Sequence, residues 1–250
     1  LAELDEVDAA LAGPEGDALL GPLAEGRARV LFDLVRTAEA EENARFAHEL
    51  RVAELGENHP LTLDALNLIG AVRFRAGDLL GAEDAWRTVY EGYLDLYGER
   101  SLNTIIASAN LGLVYENQGL YDQAEPLLRD AVDLSTEVLG TGHPQTLTSM
   151  NNLALLHESQ GQFGRAEPLY LLPIEVLSST LGEAHPRTIS VMNNLAFLYM
   201  LEEKLDAART AFEEVHAGFA AALGRDHQDT LKALNNLGRV QRRLGEAALA

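Results

Sequence analysis

The chain has 250 residues, no cysteine, and 39 acidic against 19 basic side chains, a net charge of −20. This excludes disulfides and thiolate chemistry, without deciding the compartment, and argues against nonspecific nucleic-acid binding, which needs a positive surface. No apolar run approaches the ~20 residues of a membrane helix, so no membrane partner is expected; the expected location is cytoplasmic.

Taken in chain order, residues 1–58 are the least regular, with five basic against fourteen acidic residues. The pattern predicts a helix over residues 2–12, a break at Gly13-Pro14 and a second break at Gly21-Pro22. A helix from Ala38 to Leu55 follows, with residues 22–36 as its degenerate partner. Together they form an N-terminal helical cap.

Beyond that point the sequence is periodic. Thr62, Thr104, Thr146, Thr188 and Thr230 are evenly spaced and mark the register of a 42-residue period. A hydrophobic residue and a glycine precede each, as in Leu55-Gly56, Tyr97-Gly98, Leu139-Gly140, Leu181-Gly182 and Leu223-Gly224. His-Pro follows at His59-Pro60, His143-Pro144 and His185-Pro186, with Ser101-Leu102 and His227-Gln228 as departures. Fixed periods of this size mean stacked supersecondary units. The units are 59–100, 101–142, 143–184, 185–226 and a partial 227–250, following the cap at 1–58. The initial Leu1 and the incomplete last unit suggest a segment of a longer protein.

Within a unit the apolar spacing is helical. Leu147, Met150, Leu153, Ala154 and His157 fall on one stripe, as do Ile189, Met192, Leu195, Ala196 and Tyr199. Proline ahead of the stripe suits a first helical turn. Gly77, Gly119 and Gly161 end the first helix, and Glu203 stands in that place in the fourth unit. A longer second helix follows, its buried side in the second unit being Tyr121, Ala124, Leu128, Ala131, Val132 and Leu139. Small residues recur eight and twenty positions after the Thr, at Gly70, Gly112, Ala154, Ala196 and Gly238, and at Ala82, Ala124, Ala166, Ala208 and Ala250. There the two helices must approach closely. Pro173, in the middle of a second helix, predicts a bend or break; Pro126 and Pro168, nearer their helix starts, are milder.

The pattern N-N-L-A-x-x-[YH], a glycine turn and [YF]-x-x-A-E-P-L resembles tetratricopeptide repeats, carried best by Asn151-Asn152-Leu153-Ala154, Ala166-Glu167-Pro168-Leu169 and Asn193-Asn194-Leu195-Ala196. The period and the L-G-x-x-H-P linker look like the kinesin-light-chain subclass. The resemblance spans residues 56–250 and implies an all-α, right-handed superhelical solenoid of antiparallel helix pairs. It also implies a non-catalytic scaffold for protein–protein interaction, of the kind found in multidomain bacterial signalling proteins beside kinase or nucleotide-switch domains.

In such a superhelix the first helices line the concave surface, through residues two, six, nine and thirteen after the Thr. Six after it stand Leu68, Asn110, Asn152, Asn194 and Asn236; one position earlier, Asn67, Ala109, Asn151, Asn193 and Asn235. Asparagine is a mediocre helix former, roughly 0.6 kcal/mol worse than alanine, so its recurrence needs a reason. A ladder of amides can pair with an extended peptide backbone, as matching residues do in the resembled family. The same amides can instead bond neighbouring helices and fix the stacking. Phe197, Met200 and Leu201 are candidates for an apolar pocket, with Arg239 in a basic stretch at residues 227–250, which carry four basic and two acidic side chains. The expected ligand is an extended segment with an apolar anchor and charges of both signs. Self-association or autoinhibition is the alternative, through an apolar end at Leu234, Leu237 and Leu244.

Catalytic chemistry is not expected. His59, His143, His185 and His227 recur one per linker, which suits local hydrogen bonding rather than a shared metal. No phosphate-binding glycine loop, nucleophile elbow or H-E-x-x-H occurs. Neither cofactor nor metal is called for.

Overall fold

Eleven helices and no strand make up the described residues, 16–34 and 36–247, of the computed structural model. They are α1 (Gly16–Asp33), α2 (Thr37–Leu55), α3 (Pro60–Ala76), α4 (Leu79–Tyr97), α5 (Leu102–Asn117) and α6 (Tyr121–Leu139), then α7 (Pro144–Ser159), α8 (Phe163–Leu181), α9 (Pro186–Leu201), α10 (Leu205–Leu223) and α11 (Gln228–Ala247). The chain folds as two compact units, one reaching to Leu134 and the other starting at Ser135, within α6.

Each linker is built from the recurring residues. Thr62 Oγ1 donates to the Gly56 carbonyl, and Thr146, Thr188 and Thr230 do the same to Gly140, Gly182 and Gly224, all at 2.8–2.9 Å. These threonines are essentially inaccessible, so the hydroxyl of a residue at the helix start holds the chain six residues earlier. Gly182 sits at φ 95°, ψ 156°, a backbone region open only to glycine. The histidine ahead of each first helix is its N-cap. Nδ1 of His59, His143, His185 and His227 accepts from the backbone N–H two residues on, at 3.1–3.2 Å, satisfying a donor the helix leaves unpaired. The linker histidines therefore do local hydrogen bonding. In the second repeat Ser101 Oγ takes over this role, accepting from Thr104 N, and the Thr104 hydroxyl turns to the Tyr93 carbonyl.

Packing inside the units follows the small-residue columns. Ala82, Ala124, Ala154, Ala166, Ala196 and Ala208 are fully buried. A β-carbon on Gly112 would lie 2.7 Å from Leu128 Cγ, and one on Gly70 2.6 Å from the Trp86 ring. In the unit from Ser135, two cores each join a first helix, its partner and the next first helix: Ala154 (α7), Ala166 and Tyr170 (α8) with Leu195 and Leu198 (α9), then Ala196 and Met200 (α9), Ala208 and Phe212 (α10) with Val240 (α11).

Two expected breaks do not occur, and three further expectations fall outside the described residues. Gly21-Pro22 does not break the chain, since α1 runs through it; Pro22 is exposed, where water can satisfy the carbonyl that the ring leaves unbonded. Pro173 does not break α8, which is continuous to Leu181 with Pro173 buried inside it. Packing of Tyr170 and Leu177 on either side outweighs the one missing backbone bond. The helix expected over 2–12, the break at Gly13-Pro14 and the small residue Ala250 lie outside the described residues. The helix expected from Ala38 is α2, and it is tied to α1 by a buried ion pair, Arg51 to Glu25 at 2.5 Å, with Arg51 also donating to the Leu61 carbonyl at 2.6 Å.

Candidate functional site

Because Thr and N-cap contacts fix where each first helix begins, equal positions in successive repeats come to the same height. Asn194 Nδ2 donates to Asn151 Oδ1 at 2.6 Å, Asn236 to Asn193 at 3.5 Å, and Asn110 to Asn67 at 3.3 Å. Each rung joins the amide six residues after one Thr to the amide five after the preceding Thr. An amide has two N–H donors and an oxygen that accepts twice, so every rung keeps donors and acceptors for a ligand. The Asn column thus bonds neighbouring helices, as one of the two sequence readings had it, and retains capacity for the other. Asn152 is only 7% exposed and stands behind the surface.

In the unit from Ser135 onward two cavities open along this face. The smaller, about 220 Å³, lies between α7 and α9 and is lined by Asn151, Leu177, Ser190, Val191 and Asn194. The larger, about 470 Å³, lies between α9 and α11 and is lined by Asn193, Asn194, Phe197, Phe219, Ala233 and Asn236. They are the same site one repeat apart: Leu177 corresponds to Phe219 and Val191 to Ala233, each one period further on. Alanine in place of valine fits the larger opening. Arg187 edges the first, and Asp229 and Lys232, paired at 3.2 Å, edge the second.

Phe197, Met200 and Leu201 do not assemble into one pocket. Phe197 lines the larger cavity and meets Phe212 edge-on, centroids 5.2 Å apart. Met200 is four residues after Ala196, so it falls on the packing stripe and is 5% exposed among Ala196, Ala208, Phe212 and Val240. Leu201, 47% exposed at the end of α9, lines neither cavity. Arg239 is exposed beside Arg242 and Arg243 around a third opening of about 240 Å³ at Met200. There Arg243 donates to the Met200 carbonyl at 3.1 Å and pairs with Glu203, a non-glycine residue held at φ 60°.

The cavity floors, Leu177 and Phe219, come from second helices and were not among the residues expected from the sequence. A signal was present, since both stand at the same distance after their Thr, in a column that a reading confined to first helices passes over. Equally unexpected is that the corresponding face of the other unit is occupied internally. Asp64, two after its Thr, accepts from the Tyr93 hydroxyl at 2.5 Å, and burial followed by this bond raises the Tyr93 pKa. Leu68 and Ala109 are buried in cores.

A family model for the tetratricopeptide repeat matches residues 20–95, 64–137, 103–171 and 174–250. The chain belongs to the tetratricopeptide repeat family. Comparison with curated protein sequences returns no match. Among solved structures it is similar to TPR-like repeats assigned to kinesin light chain in Podosopora anserina, at 21% identity and TM-score 0.67, covering 83% of this chain and 97% of that one. It is also similar to BtubC from P. vanneervenii, at 23% identity and TM-score 0.62, covering 84% and 82%. A third likeness is to a Rap protein complexed with Competence and Sporulation Factor, at 15% identity and TM-score 0.76, covering 98% and 68%. At these identities the likenesses concern the fold. No helix among the described residues is long and apolar enough to cross a membrane, and no group of three or more His, Asp or Glu among them is placed to hold a metal ion.

Proposed function

We propose that the chain is a non-catalytic protein-interaction scaffold whose face on α7, α9 and α11 binds an extended peptide segment of a partner. The observation that carries this reading is the pair of equivalent cavities sharing Ser190 and Asn194, each floored by an apolar residue and bordered by an Asn–Asn rung. Rung amides pair with the peptide backbone, while the floors at Leu177 and Phe219 take side chains. The two anchors stand one repeat apart along the bound segment. The larger anchor enters the cavity of Phe197 and Phe219. The Rap neighbour, solved in complex with Competence and Sporulation Factor, supports this reading by analogy of fold. The scaffold is the recognition part of a larger regulatory protein.

The test is to pan a random peptide library against the wild type and Asn194→Leu/Asn236→Leu in parallel, with helicity checked by circular dichroism. Enrichment of a two-anchor motif on wild type only is expected. Equal enrichment on the folded double variant removes the rungs from the account. Leu231 and Leu234, 52% and 48% exposed on α11, favour one rival, a second copy stacking there. A dimer by light scattering that Leu231→Lys/Leu234→Lys dissolves, together with no peptide enrichment, establishes it instead.

A further inference from the structure

A separate cavity of about 230 Å³ lies in the other unit, between α4, α5 and α6. It contains none of the amide positions and shares with that face only the place one after the Thr, Ile105 here and Leu147 there. Its origin is legible in the register. Four residues after the Thr, the repeats carry Leu66, Ser108, Met150, Met192 and Leu234; twenty-seven after it, Val89, Ala131, Pro173 and Val215. The second repeat alone has a small residue at both places. Met150, Val89 and Val215 are buried, and Leu66 and Met192 pack on the cores of their own repeats. Ser108 is 6% exposed, with its hydroxyl turned away to donate to the Leu127 carbonyl at 3.2 Å. The volume that a methionine and a valine would fill is left open.

The opening has two chemistries. Its floor is apolar, from Ile105, Ala131 and Leu134; its rim carries Glu99, Asp130 and Asp133, and no basic side chain lines it. Burial raises the pKa of the Tyr90 hydroxyl on the wall, and the fields of Glu99 and Asp130 reach it and add to the rise. At about 230 Å³ the cavity is below the roughly 300–1,000 Å³ of small-molecule sites, which points to a single side chain. A chain that is apolar along its stem and cationic at its tip matches both parts. We propose that this cavity receives a lysine or arginine side chain presented by a protein partner, its methylenes on Ile105, Ala131 and Leu134 and its charge among Glu99, Asp130 and Asp133. The net charge of −20 steers such a basic partner toward the chain.

The test is an NMR titration of the ¹⁵N-labelled chain with the capped peptide Gly-Gly-Lys-Gly-Gly and with its Nε-acetyl-lysine counterpart. Saturable shifts at the Tyr90, Ser108 and Ala131 amides are expected with the lysine peptide and not with the acetylated one. Ser108→Met/Ala131→Val installs the residues of other repeats and keeps all three carboxylates; it should abolish the shifts. Asp130→Asn/Asp133→Asn keeps the cavity and should weaken binding at least tenfold, which keeps the proposal testable if the filled variant fails to fold. Absence of saturable shifts in the wild type overturns the proposal. So do shifts of equal strength in the filled variant, which reduce the site to surface charge. Amides at Asn193 and Asn236 report the other face separately, so the two readings stand or fall independently.

Discussion

The unit up to Leu134 and the unit from Ser135 share one repeat frame and use it differently. In the first, one amide rung, Asn110 to Asn67, remains, but Leu68 and Ala109 are in cores and Asp64 holds the Tyr93 hydroxyl. Its opening lies elsewhere, where Ser108 and Ala131 are too small. In the second, the inner positions are amides and hydroxyls over two cavities of equal register. The frame sets where helices start and meet; the residues it leaves free decide which face is open.

The units also differ in what holds their ends. The α1–α2 pair packs Ala28, Leu31, Ala40 and Ala44 against α3 and adds the buried ion pair of Arg51 and Glu25. Arg51→Met leaves the Glu25 carboxylate with only the exposed Arg29 as its ion-pair partner, and should cost about 3 kcal/mol in urea unfolding, the low end for a broken buried pair. Adding Glu25→Leu should recover most of the loss, and a double variant as weak as the single one would refute the ion-pair role.

Within the repeats the effects should be smaller. Gly112→Leu drives a side chain into Leu128, 2.7 Å from the position of a β-carbon, and should cost about 1–3 kcal/mol by overpacking. An unchanged melt would contradict the close helix approach. Thr188→Val removes the donor to the Gly182 carbonyl and should cost about 1–2 kcal/mol. Here amide exchange sharpens the comparison, since protection should fall in the linker before α9 and not in α1–α2. The smallest change is His143→Ala, about 1 kcal/mol for a lost N-cap, with His143→Asn nearly neutral. An unchanged stability in His143→Ala, or a loss in His143→Asn as large as in the alanine variant, would overturn the capping role.

Much of this was legible because repetition converts sequence into position. The Thr column gave the helix starts, the glycines and Glu203 the ends of the first helices, and the alanine columns the close contacts. The linker histidines were readable as local partners because one per repeat cannot share a metal. What escaped had no register or involved more than one helix. The Arg51–Glu25 pair joins two irregular helices across a long stretch of chain, with no second copy to reveal it. Pro22 and Pro173 were read by their local cost, whereas exposure of the one and packing around the other decided the outcome. Met200 was grouped with Phe197 and Leu201 as a pocket candidate, although its four-residue spacing from Ala196 already placed it in the core. The cavity floors come from the second helices, so the first-helix columns were silent about them.

The central claim is that the amide face of α7, α9 and α11 holds a peptide, and the most direct measurement is a chemical-shift titration with a library-selected peptide. The largest shifts should fall on Ser190, Asn194, Phe197, Ala233 and Asn236, with the side-chain amide signals of Asn194 and Asn236 moving together. Shifts confined to exposed Leu171 and Leu172 on α8, or to the unit ending at Leu134, with those amides unmoved, would contradict it.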